Sequence, residues 1–117
     1  MGRGFGGRGG FGGLGDMAKL MKQAQKMQEQ MEAMRQELAD ARVEATSGGG
    51  AVQAVVNGEG KLLDLRIRPD AVDPDDVEML QDLIVTAVRE AEEKAAALAK
   101  QRMDQVTGGM NLPDLGL

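Results

Sequence analysis

Three lysines offer the clearest binding chemistry in this chain. Lys19, Lys22 and Lys26 are spaced three and four residues apart, so on a helix they share one face. A row of ammonium groups on one helix face is suited to phosphate, giving salt-sensitive affinity with little base readout. The alternative is a solvated helix face with no ligand. A second basic group precedes it. Arg3 and Arg8 stand among glycines and are interleaved with Phe5 and Phe11, the only aromatic residues of the 117. Arginine meets phosphate and phenylalanine stacks on exposed bases; the other reading is a tail without a role. Arg35 and Arg42 sit among Glu32, Glu37 and Asp40 and read as ion-pair partners.

The residues that would support catalysis are scarce. There is no His and no Cys, and Ser47 is the only serine. No nucleophile and base pair is visible, and a transition-metal site lacks its usual ligands. Asp73, Asp75, Asp76 and Glu78 cluster, but their positions fit an N-cap and a first helical turn. Gly2, Gly4 and Gly7 satisfy G-x-G-x-x-G without a preceding strand or a βαβ unit, so the match is compositional. Gly48-Gly49-Gly50 lacks the Lys-Ser/Thr of a phosphate loop and reads as a strand break that permits close approach. The expectation is a binding protein with no enzyme activity, no cofactor and no metal.

The charge of the chain agrees with a local basic site on an acidic body. The net charge is −5, but residues 1–42 hold seven Lys/Arg against five Asp/Glu, and residues 43–117 hold seven against fourteen. Screening makes the local field matter more to a phosphate than the total. The N-terminus lacks the apolar run of a signal peptide and no run is long enough to span a bilayer, so a cytoplasmic protein without a membrane partner is expected. The absence of Cys leaves no disulfide to suggest secretion.

The elements that would position these groups follow from periodicity. Residues 1–15 form a glycine-rich arm that buries too little to fold alone. Met17, Leu20, Ala24, Met27, Met31, Met34, Leu38, Ala41 and Ala45 alternate spacings of three and four, an a/d seam over four heptads. A long helix is predicted from about Met17 to Ala41 with Asp16 as N-cap. The lysine stripe falls opposite the seam. Strands are predicted around Val43 and Thr46, over Ala51–Val56 and over Leu62–Arg68. In the last, Leu63, Leu65 and Ile67 alternate with charged residues. Asn57-Gly58 marks a hairpin turn between the second and third strands. A second long helix is predicted to open at Asp73-Pro74, with Asp73 as N-cap, and to run to about Val106 before Gly108-Gly109. Its apolar face is Val77, Leu80, Ile84, Ala87, Val88, Ala91, Ala95, Leu98 and Val106. Residues 108–117 read as a flexible tail. The class is α+β: long helix, three-stranded antiparallel sheet, long helix. A sheet this small and a seam this long predict a dimer.

Three segments together carry a resemblance: GLGDMAKLMKQAQKMQEQMEAMRQELA, then VEATSGGGAVQAVVNGEGKLLDLRI, then DAVDPDDVEMLQDLIVTAVREAEEKA. Their order and spacing resemble the YbaB/EbfC family, over roughly Gly13 to Met103. Residues 1–12 are longer and richer in Arg-Gly than the start of that family. The resemblance implies a domain over residues 16–107 that binds duplex DNA. It further implies a tweezer-like homodimer with a shared sheet, and nucleoid association that organises DNA or broadly influences gene expression. Lys19, Lys22, Lys26, Arg3 and Arg8 are the DNA-contacting candidates. Two rivals are a protein-interaction module docking replication or recombination partners and an RNA-binding protein led by the arm.

Overall fold

A computed structural model of the chain describes residues 14–108. The arm with Arg3, Arg8, Phe5 and Phe11, and the tail after Gly108, lie outside the described residues. The order is helix α1 (Leu14–Asp40), strands β1 (Val43–Ser47), β2 (Val52–Val56) and β3 (Leu62–Ile67), and helix α2 (Val77–Gly108). The α+β class and the order of elements are those expected. The chain divides into two units, Met1–Ala33 and Met34–Leu117.

In the second unit the three strands form an antiparallel sheet in the order β1-β2-β3. Val43, Ala45 and Ser47 lie opposite Val56, Ala54 and Val52, which in turn lie opposite Leu62, Leu65 and Ile67. Alternation places all of these on one face. Helix α2 packs on that face over β1 and β2. Its contact stripe is Ala87, Ala91 and Ala95, four residues apart and fully buried. They join Ala45, Val52, Ala54 and Val56 in a core flanked by Leu65, Ile67, Leu80, Leu83, Ile84 and Val88. This core is aliphatic throughout.

Three details depart from the sequence reading. Helix α1 starts before Asp16, which sits in its first turn and not at the N-cap; its charge still faces the positive end of the helix dipole. The N-cap of α2 is Asp76, not Asp73. Asp73 closes a turn, its carboxylate accepting from the Asp75 N–H and its carbonyl from the Asp76 N–H. Asp76 Oδ1 accepts from the Met79 N–H at 3.1 Å. Pro74 therefore lies in the turn ahead of the helix. Finally, β3 breaks its alternation at Leu63. The register shifts between Val55 and Val56, so that Val56 meets Leu62, and Leu63 is left 44% exposed.

The glycine triplet does what its composition suggests. Gly48, Gly49 and Gly50 all take positive φ, at 61°, 67° and 96°, in a short helical turn between β1 and β2. A Cβ on Gly48 would lie 2.9 Å from Leu83 Cδ2. Beside it, the Ser47 hydroxyl donates to the Leu83 carbonyl at 2.6 Å and ties the end of β1 to α2.

Candidate nucleic-acid interface

Helix α1 has 27 residues and is about 40 Å long at 1.5 Å per residue. Lys19, Lys22 and Lys26 are all exposed on it. At about 100° per residue the three fall in an arc of about 60°. Asp16 and Gln23 border the stripe. Most of the seam lies on the other side of the helix, although its Leu20 also borders the lysines.

The burial of the seam changes along α1. Met17 and Leu20 are 54% and 59% exposed, Met27 and Met31 are half-buried, and Met34 and Leu38 are 8% and 7% exposed. Within the single chain, only the last turns of the seam find apolar cover. Leu14 and Met21 are exposed as well. Exposed apolar residues repeated in a stripe mark an interaction surface more than scattered ones do.

The end of α1 is held by two elements of the second unit. The first is the turn between β2 and β3. The Gly58 N–H donates to the Leu38 carbonyl at 2.7 Å, and Asn57 Nδ2 donates to the Ala39 carbonyl at 3.4 Å. Asn57 is buried, and its Oδ1 accepts from the N–H groups of Glu59 and Lys61. The Asn-Gly pair was legible as a hairpin signal; that it also caps the carbonyls of α1 was not. The second holding element is α2. Arg102 Nε lies 2.7 Å from Glu37 Oε2. The Nε atom is buried and its N–H does not line up with the oxygen, so the contact is an ion pair without an aligned hydrogen bond. Sequence spacing pointed Glu37 towards Arg35 and Arg42, and the partner on α2 was missed.

Other charged groups are engaged at the surface, two of the arginines by carboxylates two residues away in the chain. Arg66 pairs with Asp64 and Arg68 with Asp70, all at the surface. Lys94 Nζ donates to the Glu44 carbonyl on the β1 edge at 3.2 Å. Among the described residues no group of three carboxylates is placed to hold a metal ion, and no helix is long and apolar enough to cross a membrane.

Comparison with known proteins places this geometry. A nucleoid-associated protein of Pelotomaculum thermopropionicum is 48% identical over 82 residues, covering 70% of this chain and 78% of that protein. One of Clostridium perfringens is 52% identical over 79 residues, covering 68% and 70%. One of Geobacillus kaustophilus is 50% identical over 78 residues, covering 67% and 72%. Among solved structures, an uncharacterized protein of Helicobacter pylori shares the fold. The TM-score is 0.56 and the identity 24%, over 67% of this chain and 90% of that one. The profile of the YbaB/EbfC DNA-binding family matches residues 13–110, which takes in both helices and the whole sheet. On that match and those identities, the chain belongs to the YbaB/EbfC DNA-binding family.

Proposed function

We propose that the protein is a nucleoid-associated protein that binds duplex DNA as a homodimer, mainly through the phosphate backbone. Its work is binding and not catalysis, and its place is the nucleoid of the cytoplasm. The observation that carries the reading is the lysine stripe, fully exposed on the face of α1 opposite an apolar seam, in a chain of a DNA-binding family. Lys19, Lys22 and Lys26 meet phosphates; the acidic remainder of the chain disfavours contact elsewhere. Arg3 and Arg8 precede the stripe in the chain and add cations to the same end of the sequence. Contacts of this kind position a duplex without reading its bases, which suits compaction or broad effects on expression.

The homodimer rests on two surfaces. The seam of α1 is uncovered over its first half, and a second α1 supplies matching Met, Leu and Ala side chains. The sheet has one blunted edge and one open edge. Lys94 occupies a carbonyl on the β1 edge, whereas β3 carries Leu62 and Leu63 at 47% and 44% exposure. The shared sheet of a tweezer-like dimer therefore uses β3.

The test is a fluorescence-anisotropy titration of unrelated duplexes at low and physiological salt, beside sedimentation of the free protein. The expected result is similar affinity for all duplexes, a steep loss with salt, and about twice the chain mass at micromolar protein. Salt-independent binding, or a well-folded monomer, would overturn the corresponding half of the reading.

A further inference from the structure

The chain holds nine methionines and no Cys, His, Trp or Tyr. Its readily oxidised side chains are therefore thioethers alone. The methionines of α1 are not equally open. Met21 and Met17 are 65% and 54% exposed, Met27 and Met31 are half-buried, and Met34 is 8% exposed. Met17 and Met21 stand four residues apart, so their sulfurs share one face of the helix, with the exposed Leu14 beside them. In heptad terms Met17 belongs to the apolar seam, whereas Met21 follows the seam residue Leu20 and flanks it. A second helix laid on the seam covers Met17 and leaves Met21 at the margin.

We propose that Met17 and Met21 are a modification site: a peroxide oxidises them to sulfoxides, and the sulfoxides weaken the pairing of one α1 with another. The effect on pairing rests on the reading of the seam as a dimer contact. The step is an oxygen transfer. The thioether sulfur gives an electron pair to one peroxide oxygen, the O–O bond breaks, an S–O bond forms, and the other oxygen leaves as water with both protons. Sulfur is oxidised and the peroxide is reduced. Attack begins at Met21, which needs no opening of the seam, and reaches Met17 as the helices part. Each product replaces a flexible apolar group by a polar one. In a dimer the change occurs on both helices, and the Met, Leu and Ala side chains of the seam offer the new oxygens no donor.

The test treats the full chain with hydrogen peroxide, at doses that stop before Met34 gains oxygen. Peptide mass spectrometry orders the sites, and sedimentation reads the association. Met21 and then Met17 are expected to gain oxygen ahead of Met27 and Met31. With both oxidised, the dimer dissociation constant is expected to rise at least about tenfold, while circular dichroism stays unchanged. Methionine sulfoxide reductases, one for each sulfoxide epimer, restore the association. The double variant Met17→Leu with Met21→Leu keeps the seam apolar and cannot be oxidised there, so it associates equally before and after peroxide. Met79→Leu, which removes a methionine 58% exposed on α2, gives no such protection. Met27 or Met31 gaining oxygen as early as Met21 overturns the site. A dimer indifferent to the oxidised pair, or a double leucine variant that dissociates as the unaltered protein does, overturns the effect. If the untreated protein is already a monomer, the seam reading falls and takes the effect on pairing with it, and the order of oxidation still decides the site.

Discussion

Replacing Gly58 by alanine tests how tightly the β2–β3 turn is fitted to the end of α1. A Cβ there would lie 2.7 Å from Leu38 O, 2.8 Å from Leu38 Cδ2 and 2.9 Å from Leu38 Cα. Two of these atoms are backbone, so a change of rotamer relieves only one contact. To reach an ordinary 3.4 Å from the oxygen, the turn and the helix end must part by about 0.7 Å (3.4 less 2.7). The Gly58 N–H to Leu38 carbonyl bond, now 2.7 Å, would lengthen to about 3.4 Å, past the favoured N–H···O range, and weaken. Overpacking of this kind costs about 1–3 kcal/mol, and a weakened buried bond adds up to about 1 kcal/mol. The expected loss is about 2–4 kcal/mol, or a fall in Tm of about 10–25 °C for a domain of this size. Thermal unfolding followed by circular dichroism measures it, at fixed protein concentration because association contributes to stability. Gly49→Ala is the control. Its φ of 67° carries the strain of a left-handed residue, but nothing lies within 4 Å of the added Cβ, so about 1 kcal/mol is expected. If Gly58→Ala costs less than Gly49→Ala, the close approach is not what holds the helix end.

Other changes probe the remaining elements. Converting Lys19, Lys22 and Lys26 together to Gln keeps helix propensity, and anisotropy should show the log–log salt slope shallower by about five units for six phosphate contacts per dimer. Unchanged affinity and slope would reduce the stripe to a solvated face. Leu38→Asp puts an unpaired charge at a buried position and should cost about 3–5 kcal/mol in chemical denaturation. Met31→Asp, at a half-buried position, should act mainly on association, weakening the dimer in sedimentation at least about tenfold. Ala91→Leu adds three carbons to a side chain that is fully buried against the sheet, and should lower stability by about 1–3 kcal/mol in a thermal melt.

Much of this fold is legible because local pattern and tertiary role coincide. The three-and-four spacing from Met17 to Leu38 marks α1, the Gly triplet marks the first turn, and Asn57-Gly58 marks the second. The same spacing carried on to Ala41 and Ala45 overshoots the helix, which ends at Asp40, and Ala45 is a buried residue of β1. The errors arise where local chemistry is degenerate. Asp73 and Asp76 are both competent caps, and only the path of the chain decides that Asp73 closes a turn while Asp76 caps α2. Leu63 reads as a buried strand residue because the bulge opposite Val55 and Val56 depends on how two strands pair. Glu37 has arginines nearby in sequence, so its pairing with Arg102 on α2 leaves no local trace. The lysine stripe is the reverse case. Its spacing and exposure are plain from sequence and structure alike, but what it touches is a property of the partner.

The Asn57-Gly58 turn also bears on how the protein ages. Asparagine followed by glycine is the dipeptide most prone to deamidation, because the small glycine lets its own backbone nitrogen attack the asparagine amide carbon. In this chain that nitrogen is committed to the Leu38 carbonyl, and the amide under attack is buried with both its oxygen and its nitrogen bonded. The pair that is chemically most fragile is thus shielded by the same contacts that seat α1. Loss of the shield is self-reinforcing. An aspartate at position 57 would exchange the donor facing the Ala39 carbonyl for a carboxylate, at the negative end of a helix dipole. Chains whose α1 end is open for a larger share of the time are therefore expected to accumulate the change faster, as a species about one mass unit heavier and readable by mass spectrometry.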